Sequence, residues 1–273
     1  MRTILTLLIL FPLLAESQSA VRMRFGAGGV PSGGGGGGTS FDTNGLLLVW
    51  RFDESTAGDK TSSDAYALVL TSTNSVASGS GVLSNSARFS RSANMILGMS
   101  TTNLVEVATN MNFSIGAWVN LSSFPSSGQI YGIVSKDYPG VNTKVEYALY
   151  AEYNAANTYQ FSFLTGTNAT AAGQYKVTSA NTLTATNQWV FVIAGREQSS
   201  GNWSNWISVD GKAKEWVESP IGPAATTANF IGGSLGTSTH LMNGRIDHLQ
   251  FWRTNVNMTQ IGFLTNNPPQ NLP

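Results

Sequence analysis

A short stretch from Trp203 to Trp206 combines aromatic rings with amide groups. Sugars stack the C–H faces of their rings on aromatic side chains, and amides and carboxylates bind their hydroxyl groups. The predicted ligand-binding residues are Asn202, Trp203, Asn205, Trp206, Tyr138 and Tyr153. A wider set of candidate aromatic residues adds Tyr131, Tyr159, Tyr175 and Trp216. The alternative is that these rings belong to the core, because tryptophan and tyrosine are usually at least partly buried.

Carboxylate pairs that could hydrolyse glycosidic bonds are the second kind of chemistry in this sequence. A retaining glycosidase holds its two carboxyl groups ~5–5.5 Å apart. Glu146 and Glu152 share a predicted strand and a face, but at ~3.3 Å per residue they are separated by about 20 Å. Asp53 and Glu54 are adjacent, so their side chains point to opposite faces of a strand. The sequence therefore disfavours a glycosidase.

Nucleophilic catalysis has fewer candidates still. The chain has two histidines, His240 and His248, and no cysteine. No zinc-binding spacing occurs either. We therefore expect a protein that is not an enzyme and has no catalytic residues.

Short β-strands must position these side chains. The predicted strands cover residues 46–53, 65–71, 86–91, 95–98, 113–121, 129–137, 145–152, 158–165, 174–179, 188–196, 203–209, 212–218, 228–232 and 243–253. Turn residues separate them, and no long helical period interrupts the series. So many short strands favour a sandwich of two sheets.

Two strands indicate how the sheets should pack. Apolar residues alternate in the strand at 113–121, so one face of that strand should point to the core. The strand at 188–196 is apolar on both faces, which predicts a central strand covered on both sides. A loop such as residues 197–203 is the expected outer cover. The tryptophans assigned to the core are Trp50, Trp118, Trp189 and Trp252.

Local signals predict three further features. Asp210-Gly211 favours a two-residue hairpin, because both central positions of such a turn need positive φ. The apolar period slips between Ile246 and Leu249, which predicts a β-bulge near Asp247. A short C-terminal helical segment should attach the chain end to the sandwich through one apolar stripe. That stripe comprises Met258, Ile261 and Leu264.

The order of the strand motifs resembles the laminin-G-like branch of the concanavalin-A-like lectin/glucanase superfamily. The matching motifs are Trp50-x-Phe52-Asp53-Glu54, Ala87-x-Phe89, Phe113-Ser114 with Trp118-Val119, Gln188-Trp189, Val209-Asp210-Gly211, Ile231-Gly232-Gly233 and Gly244-x-Ile246-Asp247. No single motif is specific, and the resemblance depends on their order along the chain after Asn44. It implies an all-β jelly-roll domain, a β-sandwich of two antiparallel sheets, over residues 45–273.

The resemblance also points to a structural calcium ion. The acidic residues at the matching positions are Asp53, Glu54, Asp59, Asp64 and Asp247. Calcium binds six to eight oxygen ligands, and these would converge if the first and last strands were neighbours in one sheet. The chain departs from the family pattern at His248, where an acidic residue is usual. The Asp-x-x-Gly loop that the family pattern places soon after the first strand is also not clearly matched. The alternative is that Asp53 and Asp247 accept backbone N–H bonds in loops.

The N-terminal segment looks like an export signal. Residues 1–20 contain Arg2, a short apolar run and then small residues, which predicts a secretory signal peptide cleaved between Ser17 and Ala20. The run is shorter than the ~20 apolar residues of a membrane span, so we expect no membrane insertion after cleavage. An uncleaved anchor or a buried helix is the alternative. Residues 21–44 form a predicted flexible, glycine-rich linker.

Composition restricts the partners and the source. Only 11% of the residues are charged and the formal net charge is zero, so no basic stripe is present to neutralise nucleic-acid phosphates. An exported chain without cysteine fits a bacterial or phage source better than a small animal module, which would more often carry a disulfide.

These observations lead to three hypotheses about function. The first is a secreted or surface-exposed, non-catalytic module that binds glycans or mediates adhesion, with calcium fixing its loops. The second is a structural or protein-binding module that decorates a virion or a cell surface. The third, which is disfavoured, is a glycoside hydrolase of the same fold. The sequence leaves the ligand and the oligomeric state open.

Overall fold

The computed structural model of the chain describes residues 43–64, 66–99, 104–107, 110–137, 145–166, 174–220, 229–234 and 240–266. They all lie in one structural unit, Phe41–Pro273. The predicted signal peptide at 1–20 and all but the last two residues of the predicted linker at 21–44 lie outside the described residues. No helix among the described residues is long and apolar enough to cross a membrane.

In the described part of the chain, two antiparallel sheets of eight strands each make up the fold. Sheet A contains β1 (Leu46–Trp50), β4 (Ala77–Ser80), β5 (Asn85–Phe89), β7 (Phe113–Leu121), β12 (Val190–Ser199), β13 (Asn202–Val209), β14 (Glu215–Glu218) and β16 (Gly244–Trp252). Sheet B contains β2 (Lys60–Thr61), β3 (Val69–Thr73), β6 (Ile96–Met99), β8 (Ile130–Asp137), β9 (Val145–Ala155), β10 (Thr158–Gly166), β11 (Gln174–Thr178) and β15 (Asn229–Gly232). The predicted sandwich of two antiparallel sheets is confirmed.

Strand order places the first and last described strands side by side. Sheet A runs β14-β13-β12-β7-β16-β5-β4, and β1 pairs with the C-terminal half of β16. Sheet B runs β11-β10-β9-β8-β15-β6-β3-β2. The first and last strands are therefore neighbours in sheet A.

The predicted strands agree best with the structure where the apolar pattern is strongest. β7 spans Phe113–Leu121, as predicted. The strand predicted at 65–71 lies instead at Val69–Thr73, and β2 and β4 were not predicted. β2 has only two residues, and β4 reads Ala-Ser-Gly-Ser, so neither carries an apolar alternation.

The inner core lies between the two sheets. From β7, Phe113, Ile115 and Val119 are buried there. Their ring and methyl groups meet residues of sheet B such as Tyr147 and Phe163, whose rings lie 5.5 and 6.0 Å from that of Phe113. This interior is apolar, and its burial is the main source of stability in a sandwich.

A second apolar layer covers the outer face of sheet A. It consists of Trp118, Phe191, Ile193, Trp206, Trp252, Val256, Ile261 and Leu264. The last two residues belong to the helix α1 (Met258–Asn266), so the helix helps to bury the outer face of β12. The prediction that a loop at 197–203 covers this face is wrong, because these residues form the end of β12 and the start of β13.

The assignment of tryptophans to the core holds for three of the four residues. Trp50 and Trp252 are fully buried and Trp118 is nearly so. Trp189 is only half-buried, because it precedes β12 at the end of sheet A.

The predicted bulge and hairpin are both present. Ile246 pairs with Val119 and Gln250 pairs with Gly116, so β16 has one residue more than β7 across this interval. His248 lies inside the bulge with φ 47°. In the turn after β13, Asp210 and Gly211 have φ 50° and 70°, and the N–H of Lys212 donates to the carbonyl of Val209.

The C-terminal helix begins with a reciprocal cap. The N–H of Gln260 donates to Oδ1 of Asn257, and the N–H of Asn257 donates to Oε1 of Gln260, both at 2.9 Å. This capping box satisfies two backbone donors that the first turn leaves free. Ile261 and Leu264 are buried as predicted, whereas Met258 is 40% exposed.

Replacing Leu264 with alanine tests the role of the helix. We expect Leu264→Ala to lower the free energy of unfolding by about 2–4 kcal/mol, because it removes buried methyl groups and leaves a cavity. Met258→Ala is the matched control on the exposed side of the same helix, with an expected change within about 0.5 kcal/mol. Urea unfolding followed by tryptophan fluorescence gives both values. Equal losses for the two variants would contradict burial of sheet A by the helix.

Candidate functional site

The outer face of sheet A carries an exposed tryptophan at its β14 edge. Trp216 pairs with Trp206 across β13 and β14, with ring centroids 6.4 Å apart. Trp206 is fully buried, but Trp216 is 46% exposed and is the largest exposed hydrophobic residue described. An indole ring at the edge of a sheet offers a flat apolar platform to a ligand.

A lysine between the two rings fixes the polar groups beside this platform. Nζ of Lys214 lies 3.7 Å from the ring centroid of Trp206 and 5.3 Å from that of Trp216. It donates to Oε2 of Glu197 at 3.0 Å and to Oδ1 of Asn255 at 2.6 Å. Burial lowers the pKa of Lys214, and the Glu197 carboxylate raises it only in part. We call Trp206, Lys214 and Trp216 the tryptophan edge.

Polar groups continue along the next row of the same face. Ser204 pairs with Glu197 on one side and with Glu218 on the other. Glu218 is exposed and lies two residues from Trp216 on β14, so both side chains point to the same face. The edge therefore combines one exposed ring with carboxylate and hydroxyl groups, which is the chemistry that recognises sugar hydroxyls and C–H faces.

The stretch from Asn202 to Trp206 does not form one ligand site, because strand alternation divides it. Trp203 is half-buried beneath the Arg196 guanidinium, whose carbon lies 4.2 Å from the ring centroid. Asn205 is buried and donates to the hydroxyl of Thr165 and the carbonyl of Tyr175. Trp206 is fully buried, so no face of its ring is open to a ligand, and of this stretch only Asn202 is exposed.

The predicted tyrosines lie elsewhere. Tyr153 is half-buried on β9 of sheet B, where it pairs with Tyr159. Tyr138 lies outside the described residues. Trp216 belonged only to the wider set of candidates. The signal that could have singled it out is the Asp210-Gly211 hairpin, which folds β14 back along β13 and makes Trp216 the outer partner of Trp206.

Four of the five acidic residues predicted to bind calcium accept backbone N–H bonds. Oδ2 of Asp64 accepts from Val49, Oδ1 of Asp59 from Ser72, Oε1 of Glu54 from Thr61, and Oδ2 of Asp247 from Val82. Asp53 is exposed. For Asp247 this is the alternative role that the sequence suggested. Among the described residues, no three His, Asp or Glu side chains form a group that could hold a metal ion.

The loop after β1 contains an internal positive charge. Lys60 is fully buried, and its Nζ donates to the carbonyl of Thr56 at 2.9 Å. Burial lowers the pKa of Lys60, and the charge of Glu54 raises it in part. The ammonium group therefore interacts with Glu54, one of the carboxylates that the family resemblance associates with calcium.

Two lysines engage the glutamates of β9. Glu146 and Lys136 form a fully buried ion pair with 2.6 Å between Oε2 and Nζ. Glu152 accepts from Lys176 at 2.7 Å and from Ser162 at 2.5 Å. Burial raises the pKa of Glu152, but these hydrogen bonds outweigh it, so the pKa lies below its ordinary value. Each of the two glutamates therefore forms an ion pair with a lysine, and not with the other glutamate.

Family comparison agrees with the architecture. The sequence model of a laminin-G-like family in the concanavalin A-like lectin/glucanases superfamily matches residues 98–262, which is more than half of the chain. The chain therefore belongs to this family. A comparison with curated proteins finds no match.

Solved structures of similar fold include binding domains. The binding domain of Paraclostridial Mosquitocidal Protein 1 superposes with a TM-score of 0.64 at 12% identity, over 82% of this chain and 52% of that one. Domain 4 of AbnA, a GH43 extracellular arabinanase from Geobacillus stearothermophilus in complex with arabinotriose, gives 0.56 at 13% identity, over 81% and 98%. The binding domain of botulinum neurotoxin DC in complex with rat synaptotagmin II gives 0.56 at 15% identity, over 83% and 52%. The chain thus spans about half of the two toxin domains.

Thermal unfolding in calcium and in EDTA tests the calcium prediction. An ion that binds only the folded chain stabilises it by about 2.7 kcal/mol at a hundredfold excess over Kd. The resemblance predicts a higher midpoint in calcium than in EDTA, and loss of this difference in Asp53→Asn. Identical midpoints in calcium, magnesium and EDTA would contradict the prediction and leave Lys60 as the cation of this loop.

Proposed function

We propose that this chain is a secreted or surface-exposed, non-catalytic module that binds glycans at the tryptophan edge. The observation that carries the proposal is Trp216, which is 46% exposed on an edge strand although the chain buries most of its other large rings. Tryptophan is highly buried on average, and an exposed indole ring can stack against a ligand. Export of the chain follows from the predicted signal peptide at 1–20.

Recognition at this edge needs no chemical step. The C–H face of a sugar ring stacks on the Trp216 indole, and Glu218 accepts hydrogen bonds from sugar hydroxyl groups. Lys214 keeps Glu197 and Asn255 in place beside the ring. A single platform with few polar contacts supports weak binding, with a Kd of roughly millimolar order. Several copies on one surface would raise the avidity.

Domain 4 of the arabinanase supports the choice of a first ligand. That domain was solved with arabinotriose, and the superposition covers 98% of its length. A small neutral oligosaccharide of this kind matches a site with one exposed ring and a rim of polar groups. We therefore choose arabinotriose as the first ligand to test.

Protein binding is the second candidate function, and the same strand favours it. β14 ends sheet A, and its neighbouring residues Trp216 and Val217 are 46% and 37% exposed. An edge strand with exposed apolar side chains can pair with a strand of another protein. One toxin domain of similar fold was solved in complex with rat synaptotagmin II.

Replacing Trp216 tests the glycan site. We expect the chain to bind arabinotriose in calorimetry or on a glycan array, and Trp216→Ala to weaken binding at least about tenfold, because stacking and apolar contact are lost. The fold should survive, since the ring is exposed at an edge.

Val217→Ala is the matched control, because it removes an exposed apolar side chain from the same strand on the other face. It should leave glycan binding unchanged. Equal binding by the wild type and Trp216→Ala would overturn the site. The protein-binding alternative would be favoured by two results together: the wild type binds no neutral glycan, and it binds a surface protein whose binding Val217→Ala also weakens.

A further inference from the structure

A recess lies on the outer face of sheet A, away from the tryptophan edge. Its volume is about 360 Å³, and its lining residues are Gly79, Ser80, Arg88, Ser122, Asn187 and Arg245. We call it the arginine pocket. It lies on β4, β5 and β16, and the strands β7 and β12 separate it from β13 and β14.

Strand pairing brings the two arginines together. Arg88 on β5 pairs directly with Arg245 on β16. Ala87 and Phe89 point into the inner core, so alternation sends Arg88 to the outer face. Like charges directly opposite each other across two strands are destabilising. The chain therefore keeps a repulsive pair at this position.

Within the described part of the chain, neither arginine has a carboxylate oxygen within 4.0 Å. The ion pairs found there involve Lys136, Lys176, Lys214 and His248, and neither Arg88 nor Arg245. The chain has few charged residues and a net charge of zero, so two adjacent cations are not a consequence of a generally basic surface. An anion placed between the two guanidinium groups would relieve their repulsion.

The guanidinium of Arg245 is held in place from two sides. Its Nη1 donates to the carbonyl of Ser80 at 3.1 Å, and its carbon lies 5.6 Å from the ring centroid of Trp189. A guanidinium has five N–H donors, so further donors are available to a ligand. Because the side chain is already oriented, binding costs less conformational entropy.

The wall of the pocket is also fixed. Asp247 accepts the N–H of Val82 at 2.7 Å, which ties the turn between β4 and β5 to β16. A side chain at Gly81 would collide with Oδ2 of Asp247, so the turn packs tightly there. Gly79 and Ser80 therefore line a rigid recess rather than a loose loop.

We propose that the arginine pocket binds the anionic group of an acidic sugar, a carboxylate or a sulfate. Two guanidinium groups supply the charge-assisted hydrogen bonds that such groups accept. The volume falls in the range of small-molecule sites, roughly 300–1,000 Å³, and exceeds what a bare anion needs. Ser122 and Asn187 can bind sugar hydroxyl groups. The inference does not depend on the tryptophan edge.

Calorimetry with a matched set of ligands tests this proposal. Glucuronate and glucose 6-sulfate carry the anionic group, glucose is the neutral counterpart, and inorganic sulfate is the bare anion. We expect both acidic sugars to bind more tightly than glucose by at least about tenfold, and the binding to weaken as salt rises from roughly 50 to 300 mM. The stronger of the two acidic sugars identifies the preferred anion.

Charge-neutral variants assign the binding to the pocket. Arg88→Gln and Arg245→Gln should each weaken binding of the acidic sugar at least about tenfold. Arg91→Gln removes the same charge from an exposed position outside the pocket and should have no effect. Without ligand, Arg88→Gln should unfold at the same or a higher temperature than the wild type, because the repulsion is gone.

Three results would overturn the proposal. They are binding of both acidic sugars no tighter than that of glucose, equal weakening by Arg91→Gln and Arg88→Gln, and binding of inorganic sulfate without binding of either acidic sugar. Arabinotriose binding, which measures the tryptophan edge, should be unchanged in Arg88→Gln. Failure of one site is therefore distinguishable from failure of the other.

Discussion

Burial of both faces of sheet A is the constraint on which the rest of this structure depends. One face of β7 and β12 packs against sheet B, and the other packs under tryptophan and phenylalanine rings and the helix α1. Each fully buried large apolar side chain contributes roughly 1.5–3 kcal/mol. The centre of the sheet is consequently closed to ligands. Its margins, which include the tryptophan edge and the arginine pocket, are open to solvent.

The burial of both faces of sheet A also explains why acidic side chains accept hydrogen bonds from backbone groups. Burial on both faces leaves loop backbone groups at the sheet ends that need partners, since unpaired buried polar groups are costly. Asp64 and Asp247 supply acceptors for such groups. Lys60 and Lys136 are buried as well, and each lies beside a carboxylate or a carbonyl group. These charged side chains thus hold loops and strands in place.

Sequence patterns predicted the parts of this fold that depend on neighbouring residues along the chain. The alternation in β7, the turn at Asp210-Gly211 and the bulge at His248 are all local, and all three are found. The cover of β12 was predicted, but the element that supplies it was wrong, because the helix that contributes to it is far away in the sequence. Alternation alone could have separated Asn205 from Trp206, but it does not show which tryptophan lies at an edge.

The two candidate sites depend on tertiary pairing. Trp216 is exposed because β14 ends the sheet, and Arg88 meets Arg245 because β5 pairs with β16 in one register. Neither fact follows from the pattern of a single strand. A one-residue shift in either register would turn the side chain to the other face. The positions of both sites are therefore consequences of sheet order.

Native-state hydrogen exchange measures the double burial of sheet A most directly. Amides in β7 and β12 should exchange only when the whole domain unfolds, with the same free energy for both strands. Amides in β14 at the sheet edge should exchange by local opening at a much lower free energy. Exchange of β7 and β12 as fast as that of β14 would contradict the account, because it would mean that the centre of the sheet opens independently of the fold.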